Sequence, residues 1–144
     1  MSRIMAFDYG SKRVGIAVTD PLQMIAHGLT TVKSAEVISF VTSYLKTEKV
    51  EAFVVGEPKQ NDNSPSSAAG VINAFVKLLQ KKFPEISINR VDERFTSRLA
   101  SLAILSSGIK KMERRNKALV DEVSATIILQ SYLESDQYRK KLNL

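Results

Sequence analysis

Arg3-Ile4-Met5-Ala6-Phe7-Asp8-Tyr9-Gly10-Ser11-Lys12-Arg13-Val14-Gly15-Ile16-Ala17-Val18-Thr19-Asp20 contains two short apolar runs on either side of a polar turn. The runs are rich in β-branched residues and the turn contains a glycine, a pattern that predicts a β-hairpin. Asp8 places a carboxylate at the end of the first strand. Because an unpaired buried charge is costly, Asp8 should either reach solvent or be neutralised by a partner such as a metal ion. The alternative is that Asp8 only forms the turn, since Asp bonds readily to its own backbone.

Length and composition are those of an ordinary soluble domain. The chain has 144 residues, of which 44% are hydrophobic and 25% charged, enough for one domain with a sizeable core. It shows no apolar run of the about 18 residues that span a membrane, no signal-peptide pattern and no cysteine, so we expect a cytoplasmic protein without disulfides or thiolate metal sites. The net charge of +6 favours a nucleic-acid partner, although solubility alone explains a charge of this size.

The rest of the chain alternates between helical and strand patterns. We predict a third strand over 25–32, a helix over 35–48 capped by Ser34, a strand over 52–55, a polar loop over 60–67, a helix ending at Phe83, a strand over 86–91, a helix after Thr96, a last helix over 117–133 and a frayed polar tail over 135–144. Each later strand follows a helix, so it should lie parallel to a neighbour. The sequence therefore predicts one α/β domain over 1–144, with its core at 3–134: a mixed five-stranded sheet of three antiparallel and then two parallel strands, with helices on both faces.

A second carboxylate should lie at the same edge of this sheet as Asp8. Glu93 follows the fifth strand as Asp8 follows the first, and ligands gather beyond the carboxyl ends of parallel strands. Asp92 is its neighbour in sequence. Because successive strand side chains point to opposite faces, only one of these two acids can share a site with Asp8, and the pattern does not choose between them.

Asp121 is the third candidate, because it lies on the apolar face of the last predicted helix. That face is made by the residues at offsets of 4, 7 and 11 from it: Ala125, Ile128 and Tyr132. The helix dipole would favour an acid near the helix start by about 0.3–1 kcal/mol, but it does not explain an acid on the apolar face. Glu122 should point away from this face, into solvent.

Converging carboxylates beside basic residues favour metal-dependent phosphodiester cleavage. Oxygen ligands without cysteine select Mg²⁺ or Mn²⁺, and one or two such ions can activate water and stabilise the leaving oxygen. Basic residues near the acids can bind phosphates, with arginine able to do so bidentately. These candidates are Lys12, Arg13, Arg94, Arg98, Lys110, Lys111, Arg114 and Arg115. A charge run such as 110–117 is also often only a solvated loop.

Three longer motifs resemble those of a known family. The stretch from Asp8 to Asp20 is similar to the opening motif of the YqgF (RuvX-like) family, Asp92-Glu93-Arg94-Phe95-Thr96-Ser97 is similar to its second motif, and 120–133 to its third. The resemblance implies a ribonuclease-H-like fold and an acidic metal site made of Asp8, Glu93 and Asp121. It also implies hydrolysis of nucleic acid, with maturation of the 5′ end of pre-16S rRNA in ribosome biogenesis as the favoured role. The chain departs from the family at Glu57, where a Leu is usual.

Other functions stay open at this stage. A Holliday-junction resolvase acting on DNA would use the same fold and site but needs two active sites and hence a dimer, whereas we expect a monomer or weak dimer. A non-catalytic RNA-binding or transcription-associated module would need only the basic surface. The Asp-x-Gly hairpin also occurs in ATP-binding proteins of the actin and sugar-kinase group, which need two such domains where this length allows one.

Overall fold

Five strands form one sheet in the computed structural model, which describes residues 2–57, 69–92 and 117–141. The strands are β1 Arg3–Tyr9, β2 Arg13–Thr19, β3 Ala26–Lys33, β4 Val50–Glu57 and β5 Ser87–Asp92. Their order in the sheet is β3-β2-β1-β4-β5. β1 pairs antiparallel with β2 and β2 with β3, whereas β4 pairs in parallel with both β1 and β5. The predicted mixed sheet of three antiparallel and two parallel strands is confirmed.

Helices cover both faces of this sheet. They are α1 Val37–Tyr44, α2 Ala69–Lys82, α3 Lys117–Leu133 and α4 Asp136–Lys141. The predicted loop over 60–67 and the predicted helix after Thr96 lie outside the described residues. Across the three described ranges, no helix combines the length and the apolar character that a membrane crossing requires.

The alternation of side chains along the strands gives the two faces of the sheet different linings. The face under α1 and α2, called the α1/α2 face, carries large apolar side chains: Met5, Phe7, Val14, Ile16 and Phe53. The face under α3, called the α3 face, includes several small side chains, among them Ala6, Ala17 and Ala52. The predicted apolar stripe of α3 is buried against this second face. Each large apolar side chain that is fully buried stabilises the fold by about 1.5–3 kcal/mol.

The expectation that Ser34 caps the first helix is wrong. Its hydroxyl donates to the Gly10 carbonyl oxygen at 2.6 Å, and its backbone N–H donates to the Lys12 carbonyl oxygen at 3.0 Å. Ser34 therefore ties a short 3₁₀ turn, Ser34–Glu36, to the turn between β1 and β2. A hydroxyl that is used across the chain cannot also cap its own helix, and α1 begins only at Val37 and ends at Tyr44.

The expectation of a frayed tail after Glu134 is also wrong over 136–141, which form α4. Tyr138 is buried there and packs with Tyr132 at a ring-centroid distance of 5.4 Å. Its hydroxyl donates to the side-chain oxygen of Gln23 at 2.9 Å. Burial of one aromatic ring, with a partner for its polar end, is enough to order a segment whose other residues are mostly polar.

The turn between β2 and β3 is held by Asp20. Its carboxylate accepts backbone N–H bonds from Met24 and Ile25 at 2.8 Å and from Leu22 at 3.2 Å. These bonds, the one from Ile25 foremost, lower the pKa of Asp20 below its ordinary value. The turn fixes how β3 returns along β2 at the end of the sheet opposite to Asp8.

Candidate active site

Asp8 lies near the carboxyl end of β1, on the α3 face. It follows Ala6 by two residues on the same strand and pairs directly with Gly15 of β2. The turn that follows β1 is closed by the Gly10 N–H, which donates to the Arg13 carbonyl oxygen at 2.8 Å. Asp8 therefore lies within the strand, before the turn.

Gly15 brings α3 onto the sheet directly opposite Asp8. A Cβ atom added at Gly15 would lie 1.9 Å from the carbonyl oxygen of Asp121 and 2.3 Å from its carbonyl carbon. No other residue type fits beneath this part of α3 without moving the helix backbone. Because Asp8 and Gly15 are cross-strand partners, the structure brings Asp8 and Asp121 to the same place on the α3 face. Asp121 also lies beyond the first turn of α3, so the helix dipole does not account for it.

Arg13 joins this pair of acids from β2. Its Nε donates to the Oδ2 oxygen of Asp121 at 2.8 Å, across 108 positions of sequence. The side chains of Arg13 and Asp121 are 36% and 23% exposed, so water screens the ion pair only in part. The sequence predicted Arg13 as a phosphate-binding residue, and the structure shows it bound to one of the predicted site acids.

Asp92 and Glu57 lie on the other face of the sheet. Ile88 packs with the α1/α2 face and Val91 with the α3 face, so alternation along β5 directs Asp92 to the α1/α2 face. Glu57 pairs with Asp92 across the strands and shares that face. Neither acid therefore projects from the sheet on the side that carries Asp8, and Glu93 itself lies outside the described residues.

The basic residues predicted from the sequence fall into two groups. Lys12 lies exposed in the β1–β2 turn, next to Arg13. The other six lie outside the described residues: Arg94, Arg98, Lys110, Lys111, Arg114 and Arg115. Lys33, which is not among the predicted residues, pairs with Arg13 across β2 and β3 and so lies on the α3 face. Only the register of β2 against β3 shows that Lys33 lies beside Arg13, because the sequence around Lys33 does not distinguish it from an ordinary surface lysine.

The edge strand β3 supports the start of α3. The Thr31 hydroxyl donates to the backbone carbonyl of Ala118 at 2.6 Å. Glu122 does not stand in solvent as expected: it is half-buried, and a Cβ atom added at Gly28 would meet its side chain at 2.5 Å. α3 is therefore fixed on two strands, by backbone contact at Gly15 and by side-chain contacts along β3.

Asp8, Asp121 and Arg13 are side chains of the types that can bind cations and phosphates. Two carboxylates on one face repel each other, and a positive charge beside them reduces that cost. Oxygen donors of this kind suit Mg²⁺ or Mn²⁺. Among residues 2–57, 69–92 and 117–141 no group of three acids or histidines is placed to hold a metal ion, and two of the three predicted ligands, Asp8 and Asp121, belong to these ranges.

Comparison with known proteins gives relatives that match almost the whole chain. A protein of Christiangramia forsetii, named "Putative pre-16S rRNA nuclease", is 57% identical over 133 residues, which is 92% of this chain and 98% of that protein. A protein of the same name from Phocaeicola vulgatus is 57% identical over 138 residues, 96% of this chain and 99% of that protein. Both relatives are therefore matched along essentially their full length.

The fold has a counterpart among solved structures. T. thermophilus RuvC in complex with Holliday junction substrate superposes with a TM-score of 0.55 at 15% identity, covering 94% of this chain and 98% of RuvC. This likeness supports the expected ribonuclease-H-like fold. The family described as RuvX, Holliday junction resolvase, matches residues 2–135. That range contains Asp8, Gly15 and Asp121, and the chain belongs to the RuvX family.

Proposed function

We propose that this protein is a metal-dependent nuclease that hydrolyses phosphodiester bonds in pre-16S rRNA. Three observations support the proposal: Asp8 pairs with Gly15, the backbone of Asp121 lies against Gly15, and the Arg13 guanidinium donates to the Asp121 carboxylate. The names of the relatives that match over their full length supply the substrate class. Such a substrate is met in the cytoplasm, where we propose that the protein works.

We propose Asp8, Glu93 and Asp121 as the residues that hold one or two Mg²⁺ or Mn²⁺ ions. Asp8 and Asp121 suit this role by their oxygen donors and by their common position on the α3 face. Glu93 is assigned by its motif. When bound, the metal activates water and stabilises the leaving oxygen.

The chain's own residues bind and orient the nucleic acid. Arg13 presents a guanidinium at the acids, and Lys33 lies beside it on the edge strand, so both can contact phosphates close to the bond that is cleaved. Lys12 extends this basic surface over the β1–β2 turn. We further propose phosphate contacts for the six basic residues named by the sequence: Arg94, Arg98, Lys110, Lys111, Arg114 and Arg115.

The test is cleavage of precursor 16S rRNA with Mg²⁺ or Mn²⁺ by wild type, Asp8→Asn and Asp121→Asn. We expect wild type to cut and each variant to lose at least about 100-fold in rate, since even partners of metal ligands commonly cost 10- to 100-fold. Glu85→Gln is the matched control, because Glu85 is an exposed acid between α2 and β5, away from the site. Cleavage by Asp8→Asn at the wild-type rate would contradict the assignment of Asp8 to the metal site.

A Holliday-junction resolvase is the second candidate, because the matching family is described as RuvX, Holliday junction resolvase. It differs in substrate and in requiring two active sites and hence a dimer. A four-way DNA junction in the same assay, with the mass in solution measured by light scattering, separates the two functions. Symmetrical junction cutting by a dimer, with precursor rRNA left intact, would replace the RNA proposal. Binding of RNA without cleavage by any form would favour a non-catalytic module.

A further inference from the structure

The Arg13–Asp121 ion pair unites two side chains that the proposed function uses separately. Nε of Arg13 bonds Oδ2 of Asp121 at 2.8 Å, and both side chains are more than half buried. The proposed function assigns Asp121 to a cation and Arg13 to a phosphate. In the structure each is the partner of the other, so binding either ligand alters a bond that already exists.

The position of the pair is built into the fold. Arg13 begins β2 two residues before Gly15, and Gly15 is the place where the backbone of Asp121 contacts the sheet. The Arg13 guanidinium therefore reaches the Asp121 carboxylate from β2, the strand on which Gly15 also sets the distance between α3 and the sheet. Both partners lie on regular elements rather than on a loop, which keeps their separation short and reproducible.

We propose that Arg13 acts as a gate on Asp121, so that cation binding and phosphate binding become cooperative. This inference rests on the proposed function. With no nucleic acid present, the positive charge on Arg13 opposes a divalent cation that approaches the same carboxylate. A phosphate of the nucleic acid offers the guanidinium a bidentate partner, which withdraws that charge from Asp121 and raises the affinity of the site for the cation.

Because the binding of the cation and the binding of the phosphate are thermodynamically linked, each changes the affinity of the protein for the other by the same factor. If phosphate raises cation affinity by a given factor, the cation raises phosphate affinity by the same factor, and such factors are typically about 5- to 150-fold. The consequence is an enzyme that acquires its cation together with its substrate. The protein without bound nucleic acid would then hold little cation, which would limit the cleavage of nucleic acids that do not engage Arg13.

The opposite role is that Arg13 simply orients Asp121 for the metal, as hydrogen-bonding partners of ligating carboxylates do. The two roles predict opposite signs for one measurement. Removing a gate tightens cation binding to the nucleic-acid-free protein, whereas removing a positioning residue weakens it. The sign of the change in Mn²⁺ affinity on replacing Arg13 therefore decides between them.

The experiment is titration of Mn²⁺ by isothermal calorimetry, with electron spin resonance of free Mn²⁺ as a second readout. Wild type, Arg13→Gln, Arg13→Lys and Asp8→Asn are compared alone and when saturated with a single-stranded oligonucleotide analogue that a gel shows to be uncut. Lys77→Gln on the exposed side of α2 removes the same charge away from the site and serves as the control. Thermal melts establish that each variant is folded.

We expect the oligonucleotide to tighten Mn²⁺ binding to wild type by about 5- to 50-fold. Arg13→Gln should bind Mn²⁺ tighter than wild type without nucleic acid and should lose most of the coupling, with Arg13→Lys between them and Lys77→Gln like wild type. Weaker Mn²⁺ binding by Arg13→Gln, or unchanged coupling, overturns the gate. Mn²⁺ binding that is absent from wild type and Asp8→Asn alike, with and without nucleic acid, overturns the metal site itself and the gate with it.

Discussion

The two faces of the sheet solve different physical problems. The α1/α2 face is lined by large side chains, among them Phe7 and Phe53, whose rings meet edge to face at a centroid distance of 5.5 Å. The α3 face carries Ala6, Ala17 and Ala52 together with Gly15, which has no side chain to separate its backbone from that of Asp121. One face fills space with apolar volume, and the other brings backbones close together.

The difference separates stability from the geometry of the site. Large buried side chains supply most of the favourable free energy of folding, and they tolerate exchange for others of similar volume. Close backbone approach supplies less stability but fixes where a polar side chain on the helix comes to lie. Mutations on the α1/α2 face should therefore act mainly on unfolding, and mutations beneath α3 mainly on the placement of Asp121.

The largest expected effect on stability is that of Phe53→Ala. Phe53 is fully buried on β4 and contacts the rings of Phe7 and Phe83, so truncation leaves a cavity that the surrounding sheet fills only in part. We expect the free energy of unfolding to fall by about 3–5 kcal/mol, measured by urea denaturation. The cleavage rate per folded molecule should stay near that of wild type. A rate loss of the folded fraction as large as that of a site variant would contradict the division between the faces.

Gly15→Ala should have a smaller effect on stability and a larger one on function. The new Cβ would meet the Asp121 backbone, so α3 must move away from β2, at a cost of about 1–3 kcal/mol typical of overpacking. A displacement of about 1 Å at a reacting group can cost about 100-fold in rate, so we expect a loss of that order with most of the protein still folded. Cleavage assays and urea denaturation of the same preparation measure both quantities.

Gly70→Ala is the control for this substitution. Gly70 is exposed in α2, and a Cβ atom added there meets nothing within 4 Å. Alanine is the better helix former and restricts the unfolded chain, so we expect the variant to be more stable by about 0.4–1 kcal/mol with unchanged cleavage. If Gly15→Ala behaved like Gly70→Ala, α3 would not be held at Gly15.

Periodicity was enough to predict the sheet and most of its helices. The apolar runs at β1, β2 and β4 are continuous and buried, and the stripe that begins at Asp121 recurs at helical spacing, so local pattern and tertiary burial agree. The same agreement made Asp8 and Asp121 identifiable as acids in apolar contexts. The choice of Glu93 over Asp92 rested on the family resemblance, because alternation allows either residue until the register of β5 is known.

The missed features depend on contacts between distant parts of the chain. The Arg13–Asp121 bond joins residues 108 positions apart, and a charged residue after a turn does not reveal its partner. Ser34 has the pattern of a helix cap but uses its hydroxyl on Gly10. A register shift of β2 and β3 between Ile16 and Ala17 also changes which β3 residues share a face, so Gly28 and Thr31 both meet α3 although they are three residues apart. Periodicity of two does not predict that.

Gly28→Ala, at a second contact between the sheet and α3, has the smallest expected effect. A Cβ atom added at Gly28 would meet only side-chain atoms of Glu122, the nearest at 2.5 Å, whereas one at Gly15 meets backbone. A half-exposed glutamate can turn aside, and alanine restricts the unfolded chain, so the two effects should nearly cancel to within about 0.5 kcal/mol. Urea denaturation and cleavage assays should both give values close to wild type. A loss comparable to that of Gly15→Ala would mean that Glu122 is held as firmly as the helix backbone, and the rigid part of the site would then extend from β2 to the edge strand.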